Sequence, residues 1–398
     1  MSVESELGRA SGTARRTEPP CAPAERTPLL MMVQNFYLGG TEGQAVELFR
    51  RLPARWDGAM ACIIKDGPHL ATVRALGVDP LELALNGSVA QLNTGRQIWR
   101  LAQELRRRET RLVHAHDFYS ILLAVPAARL ARAKVIVGRL DMGHWPVGLA
   151  KNLLTRATQA ADGVIANARA IREMLIDQEN VAASRIQVIP NGVDLAAFDA
   201  RAQAPLTDPL PARPGVKPFA HVANMTHPVK AQEDLFHALR VLRHDHPELA
   251  LWLIGDGPRR KTLEMLALQM GIGDRVHFLG HRQDVPAILR RAYAGVLCSH
   301  AEGMSNALIE YLAAGLPAVA TQVGGNGEVV AHGQRGLLVP AKSPFALAAA
   351  MERLLARPEL AATYGGAGRQ YVERELTLDL LAERHDRYYR QVLGQAQA

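Results

Sequence analysis

The chain has 398 residues, of which 48% are hydrophobic and 21% are charged, and its formal net charge is +7 at pH 7. This composition is ordinary for a globular protein, and the length favours two or three domains. Three cysteines are too few for a disulfide framework, and no apolar run approaches the roughly 20 residues of a membrane span. The basic residues form no aromatic-laced strip, so we expect no nucleic-acid partner, and we expect a reducing, cytoplasmic location.

The N-terminal half has the pattern of an α/β domain. Residues 1–27 lack the apolar core of a secretory signal and are predicted to be a disordered tail. Over residues 28–208, short apolar runs alternate with helical periodicity, which predicts a parallel, doubly wound sheet. The predicted strands cover residues 29–33, 60–64, 112–116, 135–140, 164–167 and 186–189, and one helix is predicted over 94–109.

Two glycines, Gly39 and Gly40, follow the first predicted strand, at the edge where open α/β sheets bind ligands. A glycine pair allows close approach of a ligand to the backbone, and a purely structural turn is an equal alternative. Thr41 and Gln44 have the spacing of a capping box, which predicts the start of a helix. The absence of a G-x-G-x-x-G pattern argues against a dinucleotide-dependent dehydrogenase.

His114 and His116 end a later predicted strand, and strand alternation places them on one face. No third metal ligand stands nearby in the sequence, so no metal site is predicted. In the turn that follows the last strand of this half, Asn191 and Gly192 predict a positive φ angle. Prolines then interrupt the periodicity, which predicts a linker over residues 209–218 and a second α/β domain over 219–374.

The most informative stretch lies in the second domain and reads as strand, loop, helix, strand between residues 295 and 321. Its helix, predicted from Ser305 to Ala314, is apolar almost all round, and Glu310 is its only charge. Such a carboxylate needs partners or lines a cleft, with an exposed corner of the helix as the alternative. Glu302 lies in the preceding loop, and the helix start offers backbone N–H groups to an anion.

Glu302 and Glu310, within the sequence EGMSNALIEYLAAGLPAVAT, resemble the acid-x7-acid motif of retaining glycosyltransferases with the GT-B fold, in particular glycosyltransferase family 4. The resemblance extends in order over about residues 28–393 and includes the glycine pair, the His-x-His motif and the PNGVD turn. It implies two Rossmann-like doubly wound domains that face a central cleft. The first would bind the acceptor, the second would bind a nucleotide sugar, and residues 375–398 would form a helix that crosses back to the first.

The resemblance also implies a role for individual residues of this chain. The implied catalytic residues are His116, Lys230 and Glu302. The implied donor-binding residues are Gly39, Gly40, Asp256, Arg282, Gly303, Met304, Ser305, Asn306 and Glu310. Arg139, Asp141 and His144 end one strand and are candidates for acceptor binding, with structural pairing as an equal alternative.

Two positions depart from the family pattern of an arginine followed by a Lys-Gly pair, whose cations neutralise the leaving diphosphate. Asn224 stands at the arginine position and Ala231 at the glycine position, while Lys230 matches the lysine. His227, Arg259 and Arg282 are the candidates for a replacement cation, and the sequence does not choose among them.

The function that the resemblance implies is transfer of a hexose, with retention, from a UDP- or GDP-linked sugar to a hydroxyl acceptor. The expected acceptor is a glycan or a lipid-linked intermediate of polysaccharide or cell-envelope synthesis, with peripheral association at the inner face of the membrane. No Asp-x-Asp triplet occurs, so the resemblance implies metal-independent transfer without a cofactor. The alternatives are a nucleotide-sugar epimerase and a catalytically silent sugar-nucleotide-binding subunit, for which Asn224 is the only sequence support.

Overall fold

The computed structural model describes residues 26–85, 92–142, 147–211 and 214–395. Most of the predicted tail, His144 and two residues of the predicted linker therefore lie outside the described residues. Within the described ranges the chain forms two parallel α/β sheets of seven and six strands, with helices on both faces. This arrangement is the predicted pair of Rossmann-like domains, and the α/β fold class is confirmed.

The N-terminal sheet has the strand order β3-β2-β1-β4-β5-β6-β7. Its strands are β1 (Thr27–Val33), β2 (Trp56–Cys62), β3 (Leu81–Glu82), β4 (Leu112–Ala115), β5 (Lys134–Arg139), β6 (Gly163–Ala166) and β7 (Ile186–Val188). The intervening helices are α1 (Gly40–Arg50), α2 (His69–Ala75), α3 (Leu92–Arg107), α4 (Phe118–Ala131), α5 (Gly148–Ala160) and α6 (Arg169–Asp177). All six predicted strands are present, and β3 was missed because it has only two residues.

The C-terminal sheet has the order β10-β9-β8-β11-β12-β13. The elements up to its central strands are α7 (Leu195–Gln203), β8 (Lys217–Val222), α8 (Gln232–Leu242), β9 (Leu249–Ile254), α9 (Arg260–Gln269), β10 (Val276–Gly280), α10 (Val285–Leu289) and β11 (Ala294–Leu297). The remaining elements are α11 (Asn306–Ala313), β12 (Ala318–Thr321), α12 (Asn326–Val330), β13 (Gly336–Val339), α13 (Pro344–Ala356), α14 (Pro358–Glu375) and α15 (Leu378–Val392).

The strand order fixes where a ligand can bind. In the first sheet the winding direction reverses between β1 and β4, and in the second between β8 and β11. Loops on either side of such a reversal diverge and leave a crevice beyond the carboxyl ends of the strands. Most strand residues are apolar because helices cover both faces, and all six residues of β9 are buried.

Helix α7 corrects the predicted domain boundary at residue 208. Its Phe198 is buried among apolar side chains of the C-terminal domain. Asp199 of the same helix forms a bidentate pair with Arg369, at 2.7 Å for each oxygen. The chain therefore leaves the N-terminal core before α7. Tertiary packing, and not the position of the later prolines, decides to which domain this helix belongs.

Helix α15 follows the C-terminal domain in sequence but packs on the N-terminal domain. Trp56 donates from its ring nitrogen to Asp386 at 2.8 Å, and the hydroxyl of Tyr388 accepts from the backbone N–H of Val164 at 3.2 Å. Tyr389 is fully buried against Trp56, with ring centroids 5.5 Å apart in an edge-to-face arrangement. The helix thus ties the two domains together from the back of the crevice.

None of the helices in the described ranges has both the length and the hydropathy needed to cross a membrane.

Candidate active-site cleft

A cleft of about 620 Å³ lies between the carboxyl ends of the two sheets. The N-terminal domain contributes Gly39, Gly40, Thr41, Leu140 and Asn191, among others. The C-terminal domain contributes a larger and more polar set, which includes Arg201, Asn224, Lys230, His281, Arg282, Glu302, Met304, Ser305, Asn306 and Glu310. The structure therefore brings most of the predicted donor-binding residues together at the expected place.

A second cavity, of about 890 Å³, lies on the outer edge of the N-terminal sheet, against β2, β3 and α3. Several of its charged side chains form ion pairs; Lys65 pairs with Asp79 at 2.7 Å and Arg108 with Glu104 at 2.7 Å. None of the predicted site residues lines it. Ligands of open α/β sheets bind where the winding direction reverses, and cavity volume alone is a weaker indication of a binding site. The cleft between the domains is therefore the candidate active site.

Lys230 and Glu302 form an ion pair inside the cleft, with Nζ 2.6 Å from Oε1. The side chains are 22% and 11% exposed, so the pair is largely shielded and faces the cleft. Lys230 ends a short turn after β8, and the next residue, Ala231, has φ 49° and ψ 42°. That left-handed conformation costs a non-glycine residue about 1 kcal/mol, which explains the glycine of the family pattern.

Glu310 lies in the second turn of α11 and is partly buried where this helix lines the cleft. Burial raises the pKa of its carboxyl to about 7, and the nearby positive charge of Arg201 opposes the rise. No described side chain hydrogen-bonds to this carboxylate. The group is therefore an acceptor that is available for the hydroxyls of a ligand, and the cleft-lining alternative for Glu310 is the one observed.

Asn224 is exposed on the cleft wall, and its Oδ1 accepts weakly from the backbone N–H of Thr226 at 3.4 Å. Two of the three candidate replacements for the family arginine are already paired. Arg259 pairs with Glu233, and Arg282 forms a bidentate pair with Asp284 at 2.7 Å for each oxygen. Arg282 still borders the cleft, but its charge is neutralised there.

Asn306 connects the start of α11 to the N-terminal domain. Its Nδ2 donates to the carbonyl of Gly40 at 3.4 Å, and its Oδ1 accepts from the side chain of Asn191 at 2.8 Å. Sequence reasoning missed Asn191 as a bridge between the domains. The positive φ predicted for Asn191 and Gly192 is also wrong, since neither residue has one. Gly192 is required because a Cβ there would lie 2.7 Å from the carbonyl oxygen of Thr377.

The predicted capping box of Thr41 and Gln44 does not form. Helix α1 begins at Gly40 with Gly39 as its N-cap and has no side-chain cap. Gln44 instead exchanges two hydrogen bonds with the backbone of Gly192, at 2.8 and 3.0 Å. The glutamine is used for a tertiary contact, and the glycine pair is left open towards the cleft.

His116 lies behind the cleft rather than in its wall. It is buried against His114 with ring centroids 3.8 Å apart, and Nδ1 of His114 shares a 2.6 Å hydrogen bond with the hydroxyl of Tyr389. Burial lowers the pKa of His116 to about 3 and that of His385, packed beside His114, to about 4. The Nε2 atoms of His114 and His116 are buried and have no hydrogen-bond partner among the described residues, and they lie beside a cavity of about 20 Å³ that has room for one water.

His116 also borders a cavity of about 110 Å³, which it shares with Asp117 and Asp141. Thr41 and Leu140 line both this cavity and the main cleft, so the two spaces adjoin. Asp141 therefore lies near the expected acceptor side.

Arg139 borders the same small cavity, but the acceptor role considered for it is corrected. Its guanidinium is 3% exposed and donates to both oxygens of Glu179, at 2.6 and 2.7 Å, and to Thr158. The structural-pairing alternative is the one observed.

Two implied donor-binding residues lie outside the cleft wall. Asp256 accepts from the N–H of Gly257 at 2.7 Å and pairs with Arg260 at 2.9 Å, so it stabilises its own loop. Gly303 packs against the N-terminal domain, where a Cβ would lie 2.0 Å from the carbonyl oxygen of Leu140. Gly303 thus allows the two domains to approach each other. This close approach, and not a contact with the donor, explains why the position requires a glycine.

The fold and the cleft can be compared with those of known proteins. A model of "Glycosyltransferase Family 4" matches residues 38–197, and a model of "Glycosyl transferases group 1" matches residues 217–357. A GDP-mannose-dependent alpha-(1-6)-phosphatidylinositol monomannoside mannosyltransferase of Mycobacterium tuberculosis is 30% identical over 299 residues, which cover 69% of this chain and 76% of the relative. The glycogen synthase of the same organism is 28% identical over 329 residues, 79% of this chain and 76% of the relative.

Among solved structures, HepE of Anabaena in complex with UDP-glucose has a TM-score of 0.78 at 20% identity. The match covers 92% of this chain and 100% of that one. Two facing Rossmann-like domains with a cleft between them are the GT-B fold. Together with the sequence matches, they show that the chain is a glycosyltransferase and belongs to glycosyltransferase family 4.

Proposed function

We propose that the protein transfers a hexose, with retention of configuration, from a UDP- or GDP-linked sugar to a hydroxyl of a glycan or lipid-linked acceptor. The observation that carries this proposal is the convergence of Lys230, Glu302, Glu310 and the start of α11 on one cleft. A cation and free backbone N–H groups suit a diphosphate, and two carboxylates suit the hydroxyls of a sugar and a ribose.

The proposed donor binds with its diphosphate between Lys230 and the N-terminal N–H groups of α11. Diphosphate oxygens then compete with Glu302 for the ammonium of Lys230, and Glu302 becomes available to hydroxyls of the transferred sugar. Glu310 lies four residues into the helix, about 6 Å further along its axis, which suits the ribose. The helix dipole and the ammonium stabilise the negative charge that develops on the leaving group.

In the proposed transfer, the bond between the anomeric carbon and the phosphate oxygen breaks. A bond from the acceptor oxygen to the anomeric carbon forms on the same face. The proton of the acceptor hydroxyl passes to the departing phosphate oxygen, so no protein base is required. The buried, neutral His116 suits a positioning role beside the acceptor, and we propose that the reaction needs no metal ion.

The name of one relative supports a proposal on the acceptor and on the cellular location. The relatives include a phosphatidylinositol monomannoside mannosyltransferase, whose acceptor by name is a lipid. We extend this to a glycan or lipid-linked acceptor for the present chain, at the cytoplasmic face of the membrane.

The test is incubation of the purified chain with UDP- and GDP-hexoses and lipid-linked or glycan acceptors, followed by ¹H NMR of the anomeric proton of the product. The expected product has the same anomeric configuration as the donor, and EDTA does not slow its formation. An inverted product contradicts the retaining mechanism. Interconversion of the donor sugar without acceptor would favour an epimerase, and nucleotide binding without turnover would favour a silent subunit.

A further inference from the structure

Arg201 lies in the cleft wall, although no sequence motif marks it. Its helix, α7, is anchored to the C-terminal domain by the buried Phe198 and by the bidentate pair between Asp199 and Arg369. The backbone of Arg201 is therefore fixed relative to the walls of the cleft, while its side chain is exposed.

The charge of Arg201 is not neutralised by a neighbouring carboxylate. Of the other long cationic side chains that line the cleft, Lys230 pairs with Glu302 and Arg282 pairs with Asp284. Arg201 makes one hydrogen bond, to the carbonyl of Gln283, and no described carboxylate lies within ion-pair distance. A guanidinium has five N–H donors, so most of them are available to a ligand.

The neighbours of Arg201 place it at one end of the proposed donor site. Gln283 belongs to the loop after β10, and Val285 of α10 lines the cleft beside it. The positive charge of Arg201 also acts on Glu310, in the second turn of α11. The proposed diphosphate site, at Lys230 and the first turn of α11, is separated from Glu310 by a helical turn. Arg201 therefore faces the nucleoside end of the site.

We propose that Arg201 binds the nucleoside of the donor, with its N–H groups donated to acceptor atoms on the edge of the base. Uracil offers the acceptor O4 and guanine offers O6 and N7, whereas adenine carries an amino group beside its N7 acceptor and cytosine carries an amino group in place of O4. Arg201 thus favours uridine and guanosine nucleotides, and it supplies positive charge to a cleft in which Asn224 replaces the arginine of the family pattern. This inference rests on the proposed function.

A second consequence concerns the ionisation of Glu310. Burial raises its pKa to about 7 and the charge of Arg201 opposes that rise, so removal of Arg201 raises the pKa further. Lys230 and Glu302 pair with each other, Arg282 pairs with Asp284, and the titratable side chains of His69 and His281 also line the cleft. A protonated Glu310 accepts ribose hydrogen bonds less well, so nucleotide affinity should fall at lower pH, and at a higher midpoint without Arg201.

The test is calorimetric titration of UDP, GDP, ADP and CDP into the wild type, Arg201→Ala and Arg201→Lys at pH 6, 7 and 8.5. Arg291→Ala is the matched control, because Arg291 is also exposed and also donates to a backbone carbonyl, that of Ala287, outside the cleft. We expect Arg201→Ala to weaken binding of UDP or GDP by about 10–100-fold, the range for a hydrogen bond to a charged group. Arg201→Lys should recover part of this loss, and Arg291→Ala should bind as the wild type does.

The outcomes separate this inference from the proposed function. If the wild type binds UDP or GDP and Arg201→Ala binds it within twofold, the inference is wrong and the donor assignment stands. An equal loss for all four nucleotides also overturns the base contact. If the wild type binds none of them, the donor assignment itself fails. An unchanged melting temperature of Arg201→Ala verifies that the variant is folded.

Discussion

The two walls of the cleft differ in charge and in burial. The C-terminal wall carries Lys230, Glu302, Arg201 and Glu310, which are partly exposed and ionisable. Buried histidines lie behind the N-terminal wall, and burial lowers the pKa of His116 to about 3. In the proposed transfer, the diphosphate leaves beside the charged groups of the C-terminal wall, and the acceptor hydroxyl attacks on the side of the neutral His116. Packing keeps the imidazole of His116 neutral, whereas an ion pair holds Lys230 and Glu302 on the opposite wall.

The largest effect is expected at the charged wall. Lys230→Ala removes the proposed partner of the diphosphate and leaves Glu302 to repel it. We predict a fall in kcat of about 10²–10³-fold, typical for loss of one group that stabilises developing negative charge. The measurement is steady-state transfer kinetics, with Lys261→Ala, an exposed lysine of α9 outside the cleft, as the control. A change of less than threefold would falsify the role of Lys230.

The next largest effect is expected at His116, on the N-terminal side of the cleft. His116→Ala should lower kcat/KM for the acceptor by about tenfold or more, equivalent to about 1.4 kcal/mol of transition-state binding. Acceptor kinetics at saturating donor measure it, and His237→Ala on the exposed face of α8 is the control. His116→Asn, which retains a polar side chain, guards against a folding defect. Unchanged acceptor kinetics in both His116 variants would show that the residue is only structural.

Acid should destabilise the N-terminal domain. The pKa values of His116 and His385 are lowered to about 3 and 4, so these side chains are neutral in the fold and take up protons on unfolding below pH 6.5. Their stabilising contribution is complete above pH 6.5 and decreases as pH falls towards the folded pKa, by up to about 1.4 kcal/mol per pH unit for each histidine.

Melting temperatures from pH 8 to 4.5 measure this decrease. His385→Leu removes one of these histidines, so its melting temperature should fall less steeply with decreasing pH than that of the wild type. An identical slope in the variant would contradict the assignment.

The smallest effect concerns Glu310, whose pKa is raised to about 7. Its favourable contribution to stability is complete below the unfolded value near 4.5 and is lost as pH rises through 7. Glu310→Gln should therefore raise the melting temperature of the ligand-free protein at pH 8.5 and leave it nearly unchanged at pH 5. Each kcal/mol recovered corresponds to about 2–4 °C in a domain of this size. A variant that is less stable than the wild type at pH 8.5 would rule out the raised pKa.

Local sequence patterns predicted the helices and strands well where one local feature decides the structure. The apolar run that ends at Gly315 and Pro317 predicted α11 to within one residue at each end, because Gly315 adopts φ 72° and stops the helix. Alternating apolar runs predicted the strands for a similar reason, since a parallel sheet is buried on both faces.

The errors arose where a tertiary partner decides the outcome. Gln44 does not cap α1, because Gly192, 148 residues away, offers it two hydrogen bonds. Arg139 pairs with Glu179, and no local pattern announces a partner 40 residues away. The predicted N-terminal domain extended to residue 208 and so included the residues of α7, and the position of Arg201 in the cleft was missed for the same reason. Local sequence does not specify which core a short helix joins.

The most direct test of the difference between the two walls is calorimetric titration of UDP- and GDP-sugars into the wild type, Lys230→Ala and His116→Ala. We predict that one nucleotide family binds the wild type with a single site, that Lys230→Ala binds it at least tenfold more weakly, and that His116→Ala binds it within twofold. Equal losses in both variants, or no loss in Lys230→Ala, would contradict the assignment of the donor to the charged C-terminal wall.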